Sequence, residues 1–210
     1  MTLKKRNLIA GILYLALIVP GPFAYIMIPN LLESQSNIIN YVSSHMSLIY
    51  VWILLDLLII GIEIVLSWYL LKIFEGFNKR LSIVAFIFRL AVVAVMFINV
   101  AFLFNIVLSD GVESLQMIKN HKTFIMIWQI NFSVHVALLG FMIFKGLKNY
   151  VKFLGIILMI GTLGYLIDSL NYFFIDSQFF TSLGSFLLIF ITLGEISMGI
   201  ALLAKKIIKA

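Results

Sequence analysis

Residues 48–80 read LIYVWILLDLLIIGIEIVLSWYLLKIFEGFNKR, an apolar run followed by a basic, polar turn. The apolar part, 48–71, contains two acidic residues and no basic one, and it slightly exceeds the roughly 20 residues that a helix needs to cross about 30 Å of hydrocarbon. Lys72 follows directly, and Lys79 and Arg80 lie in the polar turn after it. Basic residues at the end of an apolar run mark the cytoplasmic side of a membrane-spanning helix. The segment therefore predicts a transmembrane helix that ends in the cytoplasm.

The same alternation of apolar runs and basic clusters extends over the whole chain. Twelve of the fifteen Lys and Arg residues form four clusters: Lys4, Lys5 and Arg6; Lys72, Lys79 and Arg80; Lys145, Lys148 and Lys152; and Lys205, Lys206 and Lys209. Two apolar runs separate successive clusters, which predicts six spans at about 7–28, 48–71, 83–108, 123–144, 153–175 and 179–204. The intervening connections contain only Lys119 and Lys122 as basic residues, so both termini are expected in the cytoplasm.

Composition supports the same class of protein. With 63% hydrophobic residues, 11% charged residues and a mean hydropathy of +1.14, the chain has more apolar surface than a soluble domain of this size can bury. Lipid offers the backbone no hydrogen bonds, so every span is expected to be helical. We predict one all-α domain over residues 1–210, a polytopic six-helix transmembrane bundle in the cell membrane with the lipid bilayer around it. The net charge of +6 comes from residues that flank the spans, so nucleic-acid binding is not indicated.

Two prolines are expected to disturb the first span. Pro20 and Pro22 flank Gly21, and each lacks the N–H that an α-helix uses. The outer half of this span is therefore predicted to kink or unwind. The connection at 29–47 is predicted to lie outside the cell, with a short interfacial helix near 37–42.

The residues that could perform chemistry are the ionisable ones inside the predicted spans: Asp56, Glu63, Arg89, His135, Asp168 and Glu195. Such residues cost free energy at the bilayer centre, so they are expected to face the bundle interior or a wet cavity. Glu63 and Arg89 lie at nearly the same depth, about eight and about six residues from the cytoplasmic ends of their spans. We predict an ion pair between them. Asn131 is one helical turn before His135 and shares its face.

The predicted interior has four acids against one arginine and one histidine. Excess carboxyl groups in a medium of low dielectric constant either bind a cation or hold protons. The alternative is that these groups simply hydrogen-bond one helix to another. The external connections contain further acids and histidines, which are expected to be solvated and not to bind a metal: Glu33, His45, Asp110, Glu113, His121 and Asp176.

Several cofactor and catalytic chemistries lack the residues they need. His135 is the only histidine in a predicted span, so it cannot supply two axial haem ligands, and no metal-ligand spacing occurs within a span. Ser133 lies two residues from His135 on a different helical face, which does not fit a serine–histidine protease. The chain has no cysteine and no glycine-rich nucleotide-binding motif. We expect no cofactor and no metal, and no residue is assigned as catalytic.

Three parts of the chain carry a resemblance to a known family. They are RNLIAGILYL at 6–15 with Pro22-Phe23-Ala24, Phe88-Arg89-Leu90, and above all LGIILMIGTLGYLID at 154–168. The chain resembles the bacterial family catalogued as domain of unknown function 4386. The resemblance implies a small integral membrane protein without an established activity, and it implies that Arg89, Tyr165 and Asp168 occupy positions of the family's pattern.

Three functions remain open. The first is a non-enzymatic protein with a partner-binding, regulatory or envelope role, in which the polar interior serves packing. The second is a small proton- or cation-coupled transporter that uses the four interior acids around Arg89 to move a small solute. The third is an intramembrane enzyme that modifies lipid, with His135 and either Glu195 or Asp168 as acid–base groups. The first is favoured over the second, and the second over the third.

Overall fold

The computed structural model describes residues 1–108, 112–147 and 149–207, which are almost entirely helical and contain no strand. Six helical segments are long and apolar enough to cross a membrane: Leu3–Glu33, Met46–Phe74, Lys79–Leu108, Glu113–Gly146, Val151–Ile175 and Gln178–Leu203. We number them as the first to sixth spans. The predicted all-α, six-span fold is confirmed. Three residues named in the sequence analysis lie outside the described residues: Asp110, Lys148 and Lys209.

The first span is interrupted near its middle. An α-helix over Leu3–Ala16 is followed by a turn, and the helix resumes at Pro20–Pro22, continues as a π-helix over Phe23–Met27 and ends as an α-helix over Ile28–Glu33. The prolines lack the N–H groups that a continuous α-helix requires, which explains the interruption predicted there. We call the helix Leu3–Ala16 the inner half of this span and residues 20–33 its outer half. The two halves can therefore pack on different neighbours.

The connection after the first span contains a short helix, Ile38–Ser44. Asn37 caps its start, because the Asn37 Oδ1 atom accepts a hydrogen bond from the Asn40 N–H at 3.0 Å. Glu33, at the end of the first span, forms an ion pair with Lys122 of the fourth span at 2.6 Å. The outer end of the first span is thus held against the fourth.

The fourth span begins earlier than predicted. Its helix covers Val112–Gly146, whereas the apolar run predicts 123–144. With 35 residues at about 1.5 Å each, the helix is about 52 Å long and extends beyond the hydrocarbon. Hydropathy detects only the part of a helix that lies in lipid, so it misses the polar end. The prediction that His121 is a solvated loop residue is wrong, since His121 lies within this helix and is 1% exposed.

The other spans form a closed ring. The second and third are the helices Met46–Phe74 and Lys79–Leu108. The fifth consists of Asn149–Leu170 and a π-helix over Asn171–Ile175, and the sixth is Gln178–Leu203. The second to sixth spans pack against one another in chain order, and the inner half of the first span packs between the second and the sixth. This arrangement encloses an interior lined by most of the spans.

Glycines permit the closest helix contacts in this ring. Gly155 lies against the backbone of Gly140 and of the following turn at the interface of the fourth and fifth spans, and a Cβ atom there would collide with backbone atoms. Gly161 and Gly164 lie in the same way against the sixth span. Gly61 of the second span is different, because nothing lies within 4 Å of the position of its Cβ atom.

The outer surface of the bundle is as apolar as its core. Large exposed side chains on the spans include Leu54, Trp68, Phe97, Phe153 and Phe186. Helices that are hydrophobic on all sides are typical of membrane spans, where the outer face contacts lipid. The protein is a multi-pass membrane protein.

Candidate functional site

Arg89 of the third span is the centre of the polar interior. Its side chain is fully buried. The Arg89 Nε atom donates to Glu63 Oε2 of the second span at 2.5 Å, so the structure contains the ion pair that the depths of these residues predict. The Arg89 Nη1 atom donates to His135 Nε2 of the fourth span at 2.7 Å. One guanidinium group thus joins three spans.

The hydrogen bonds of His135 define its tautomer. Arginine can only donate, so His135 Nε2 accepts from Arg89 and carries no proton. The other ring nitrogen, Nδ1, lies 2.8 Å from the backbone oxygen of Ala85, which can only accept, so Nδ1 carries the proton. His135 is therefore a neutral imidazole with both nitrogens engaged, and the charge of Arg89 is balanced by Glu63.

Two aromatic rings flank the Arg89 guanidinium. Its central carbon lies 5.5 Å from the ring centroid of Tyr14 and 5.5 Å from that of Phe132. Both distances are within the range of cation–π attraction. The first span is in this way joined to the same centre as the second, third and fourth.

A cavity of about 280 Å³ lies beside this centre, between the first, second, fourth, fifth and sixth spans. Its polar lining consists of Glu63, Gln129, Thr192 and Glu195 together with three tyrosines. Glu195 of the sixth span is half-buried and makes no hydrogen bond or ion pair with any described residue. The cavity therefore contains one carboxyl group that Arg89 pairs and one that it does not.

Aromatic side chains form one wall of the cavity. Trp128 of the fourth span stacks on Tyr25 with ring centroids 5.2 Å apart and on Phe132 with centroids 4.9 Å apart. Tyr165 of the fifth span meets Trp128 and Phe132 edge to face, at 5.7 and 5.8 Å. Edge-to-face and offset contacts of this kind hold aromatic rings in defined positions. The wall is thus built from three different spans.

The cavity opens sideways, towards lipid. The lining residues that are also exposed on the outside of the bundle are Ile18, Pro22, Ile26 and Thr192, all from the first and sixth spans. The inner half of the first span packs on the sixth, but its outer half packs on the second span instead. The interruption of the first span therefore leaves a gap between it and the sixth span, at the depth of the cavity.

Residues 9–205 match the family described as domain of unknown function DUF4386. The chain belongs to the DUF4386 family. No curated protein and no solved structure matches it. Arg89, Tyr165 and Asp168 are the residues expected at positions of the DUF4386 pattern. Tyr165 lines the cavity, and Arg89 lies beside it. Asp168 is connected to the cavity through Gln129, whose Nε2 atom donates to Asp168 Oδ2 at 3.1 Å.

The hydrogen bonds around Asp168 involve Gln129 and Ser169, which were not among the predicted site residues. Gln129, a residue of the fourth span, also receives a hydrogen bond on its Oε1 atom from Ser169 at 3.0 Å. Asn131 is not part of any of these networks, because it is half-buried and donates to the carbonyl of Ile127 in its own helix at 2.8 Å. The signal that could have identified Gln129 is its position six residues before His135, deep in a predicted span of the DUF4386 chain.

A second polar cluster lies nearer the outer end of the bundle. Asp56 of the second span is fully buried, and its Oδ2 atom lies 3.6 Å from His121 Nε2 of the fourth span. The ring of Trp52 packs on His121 with centroids 4.4 Å apart. Neither carboxylate oxygen of Asp56 has a hydrogen bond of good geometry among the described residues.

The described residues of the DUF4386 protein contain no group of three or more His, Asp or Glu side chains that could hold a metal ion. His135 does not line the cavity, and the cavity does not bring it together with Glu195 or Asp168. The cavity offers a ligand two carboxyl groups, aromatic rings, one amide and several hydroxyl groups.

Proposed function

We propose that this DUF4386 protein is a non-enzymatic protein of the cytoplasmic membrane that binds a small, largely apolar molecule in the cavity beside Arg89. The observation that carries this proposal is the cavity of about 280 Å³ with its side opening between the first and sixth spans. Sites for small molecules are concave, mostly apolar and lined by a few polar groups, as this cavity is. A ligand that partitions into lipid would enter from the bilayer without crossing a polar surface.

Binding is a better account of the interior than lipid modification. Acid–base catalysis needs a proton donor and an acceptor that reach the same substrate. His135 has both ring nitrogens engaged, by Arg89 and by the carbonyl of Ala85, and it lies outside the cavity. Glu63 is engaged by Arg89 as well. Among the described residues of the lining, Glu195 is then the single carboxyl group without a protein partner, which favours recognition over catalysis.

The second candidate is a proton- or cation-coupled transporter. The specific observation that favours it is that Glu195 and Asp56 both lack a partner that would balance a negative charge fully. Carboxyl groups of this kind are used by transporters to exchange a proton for a cation. Uptake of a lipophilic cation into proteoliposomes under an imposed pH gradient would establish transport, and binding without uptake would assign the protein to the first class.

The orientation of the chain is part of the proposal. The four basic clusters favour a cytoplasmic location for both termini, which would put the side opening in the middle to outer part of the bilayer. The chain has no cysteine, so single cysteines can report the topology. We expect a membrane-impermeant maleimide to label Ser36→Cys in intact cells and to label Gly76→Cys only after lysis. Labelling of Gly76→Cys in intact cells would reverse the orientation.

Ligand-dependent thermal unfolding of the detergent-purified protein tests the binding site itself. The probes are neopentylbenzene, which is neutral, and benzyltrimethylammonium, its cationic isostere. A ligand that binds only the folded protein stabilises it in proportion to ln(1 + [L]/Kd), so at least one probe should raise the melting temperature. The cavity-filling variant Gly21→Leu should abolish this rise, because Gly21 lines the cavity and nothing lies within 4 Å of its Cβ position.

The matched control is Gly61→Leu, which adds the same side chain at an equally open position of the second span outside the cavity. Because Gly21 precedes a proline, where the α conformation is disfavoured for other residues, Thr192→Leu serves as a second filling variant at the cavity mouth. Loss of the rise in Gly21→Leu or Thr192→Leu, with retention in Gly61→Leu, supports the site. If neither probe raises the melting temperature of the wild type, the proposed function is overturned.

A further inference from the structure

The cavity of the proposed function has one carboxyl group more than Arg89 can neutralise. Arg89 forms a short ion pair with Glu63, and its Nη1 atom donates to neutral His135. Glu195 makes no hydrogen bond or ion pair with any described residue. An uncompensated carboxylate is costly at membrane depth. A positively charged ligand would supply the compensation that the protein's own residues do not.

The aromatic wall suits such a ligand. Trp128, Tyr25 and Tyr165 line the cavity, and the electron-rich faces of tryptophan and tyrosine attract cations. Two other rings of the lining, those of Tyr14 and Phe132, flank the Arg89 guanidinium at 5.5 Å. Aromatic rings therefore already contact one cationic group at this depth. Carboxylate and aromatic rings together form a site that recognises positive charge surrounded by apolar groups.

The remaining polar groups limit the kind of cation. Gln129 uses its Oε1 atom to accept from Ser169 and its Nε2 atom to donate to Asp168. The Thr192 hydroxyl donates to the carbonyl of Leu188 at 3.0 Å. Besides Glu195, the acceptors left in the lining are the tyrosine hydroxyl groups, of which those of Tyr14 and Tyr25 make no hydrogen bond with a described residue. Most of the lining is apolar, and an unsatisfied N–H donor is unfavourable there. A tertiary or quaternary ammonium group fits this lining best, because it needs one acceptor or none, whereas a primary ammonium group needs three.

We propose that the cavity binds a small lipophilic organic cation, a tertiary or quaternary ammonium with an apolar body, and that Glu195 is its counter-ion. This proposal rests on the proposed function and adds the chemical class of the ligand. The side opening at Ile18, Ile26 and Thr192 fits it, because an amphipathic cation concentrates in the membrane and would insert its apolar body from the lipid. The ammonium group would lie beside Glu195, within the aromatic lining of the cavity.

The test compares benzyltrimethylammonium with neopentylbenzene, which has the same shape without the charge. Affinities come from calorimetric titration of the detergent-purified protein, and melting temperatures verify that each variant is folded. We expect the wild type to bind the cation at least about tenfold more tightly than the neutral isostere, because desolvated cation–π and ionic contacts each contribute on the order of a tenfold factor. Glu195→Gln should lower this preference about tenfold, because it removes the ionic contact and leaves the aromatic rings, whereas Glu195→Asp should retain part of the ionic contribution.

The matched control is Glu113→Gln, which removes an exposed carboxylate outside the cavity and should leave the preference unchanged. Equal affinity for the two isosteres, or a cation affinity that Glu195→Gln does not change, overturns the assignment of Glu195 as counter-ion. In those cases the cavity still binds the probe, so the proposed function stands. Absence of binding by both probes overturns the proposed function and the cation site together.

Discussion

Replacing Arg89 with methionine should destabilise the protein more than any other single substitution in the bundle interior. Methionine is similar in length but removes the partner of Glu63, whose carboxylate is 5% exposed. Removal of one partner from a buried ion pair costs about 3–5 kcal/mol, since the remaining charge stays uncompensated. His135 Nε2 also loses its donor, which adds about 1 kcal/mol or more. We therefore expect a loss of at least about 4 kcal/mol in the free energy of unfolding.

The double variant Glu63→Gln, Arg89→Met identifies the cause. It removes both charges, so it should be more stable than Arg89→Met alone by about 2 kcal/mol or more. The free energies are measured by unfolding the detergent-purified protein with increasing mole fractions of dodecyl sulfate. Lys72→Met is the control, because the Lys72–Glu75 pair is about one-third exposed and should cost no more than about 1 kcal/mol. A double variant no more stable than Arg89→Met would refute the argument.

Three further substitutions test other parts of the structure by the same measurement. Gly155→Ala should cost about 2 kcal/mol because its Cβ would collide with the backbone of the fourth span, whereas Gly61→Ala should be neutral or stabilising by up to about 1 kcal/mol. The double variant Asp56→Leu, His121→Leu should be as stable as the wild type or more stable by about 1–3 kcal/mol, because neither residue is fully hydrogen-bonded; marked destabilisation would contradict this. Glu195→Gln, measured without ligand, should leave stability unchanged or raise it, since no protein contact is lost, and a loss above about 1 kcal/mol would reveal a structural role.

The pattern of apolar runs and basic clusters was sufficient to predict the class of fold and the number of spans. Each span is a local property, because a helix in lipid satisfies its own backbone and needs only about 20 apolar residues. Depth along a span is equally local, which is why counting residues from the cytoplasmic ends predicted that Glu63 and Arg89 are level. Proline chemistry likewise predicted the break in the first span. Polar helix ends outside the lipid escaped this reasoning, as the burial of His121 demonstrates.

The sequence alone thus determined which segments are long and apolar enough to cross a membrane, and that Glu63 and Arg89 are level with each other. Only the tertiary structure decided which side of each helix faces inward, because lipid-facing and buried positions are both apolar and the pattern contains no clear polar face. The meeting of Tyr25, Trp128 and Tyr165 at one wall, and the isolation of Glu195 from Arg89, depend on those rotations and on the packing order of the spans. The cavity exists because the first span is interrupted and its outer half no longer packs on the sixth span, at the same level at which these side chains meet.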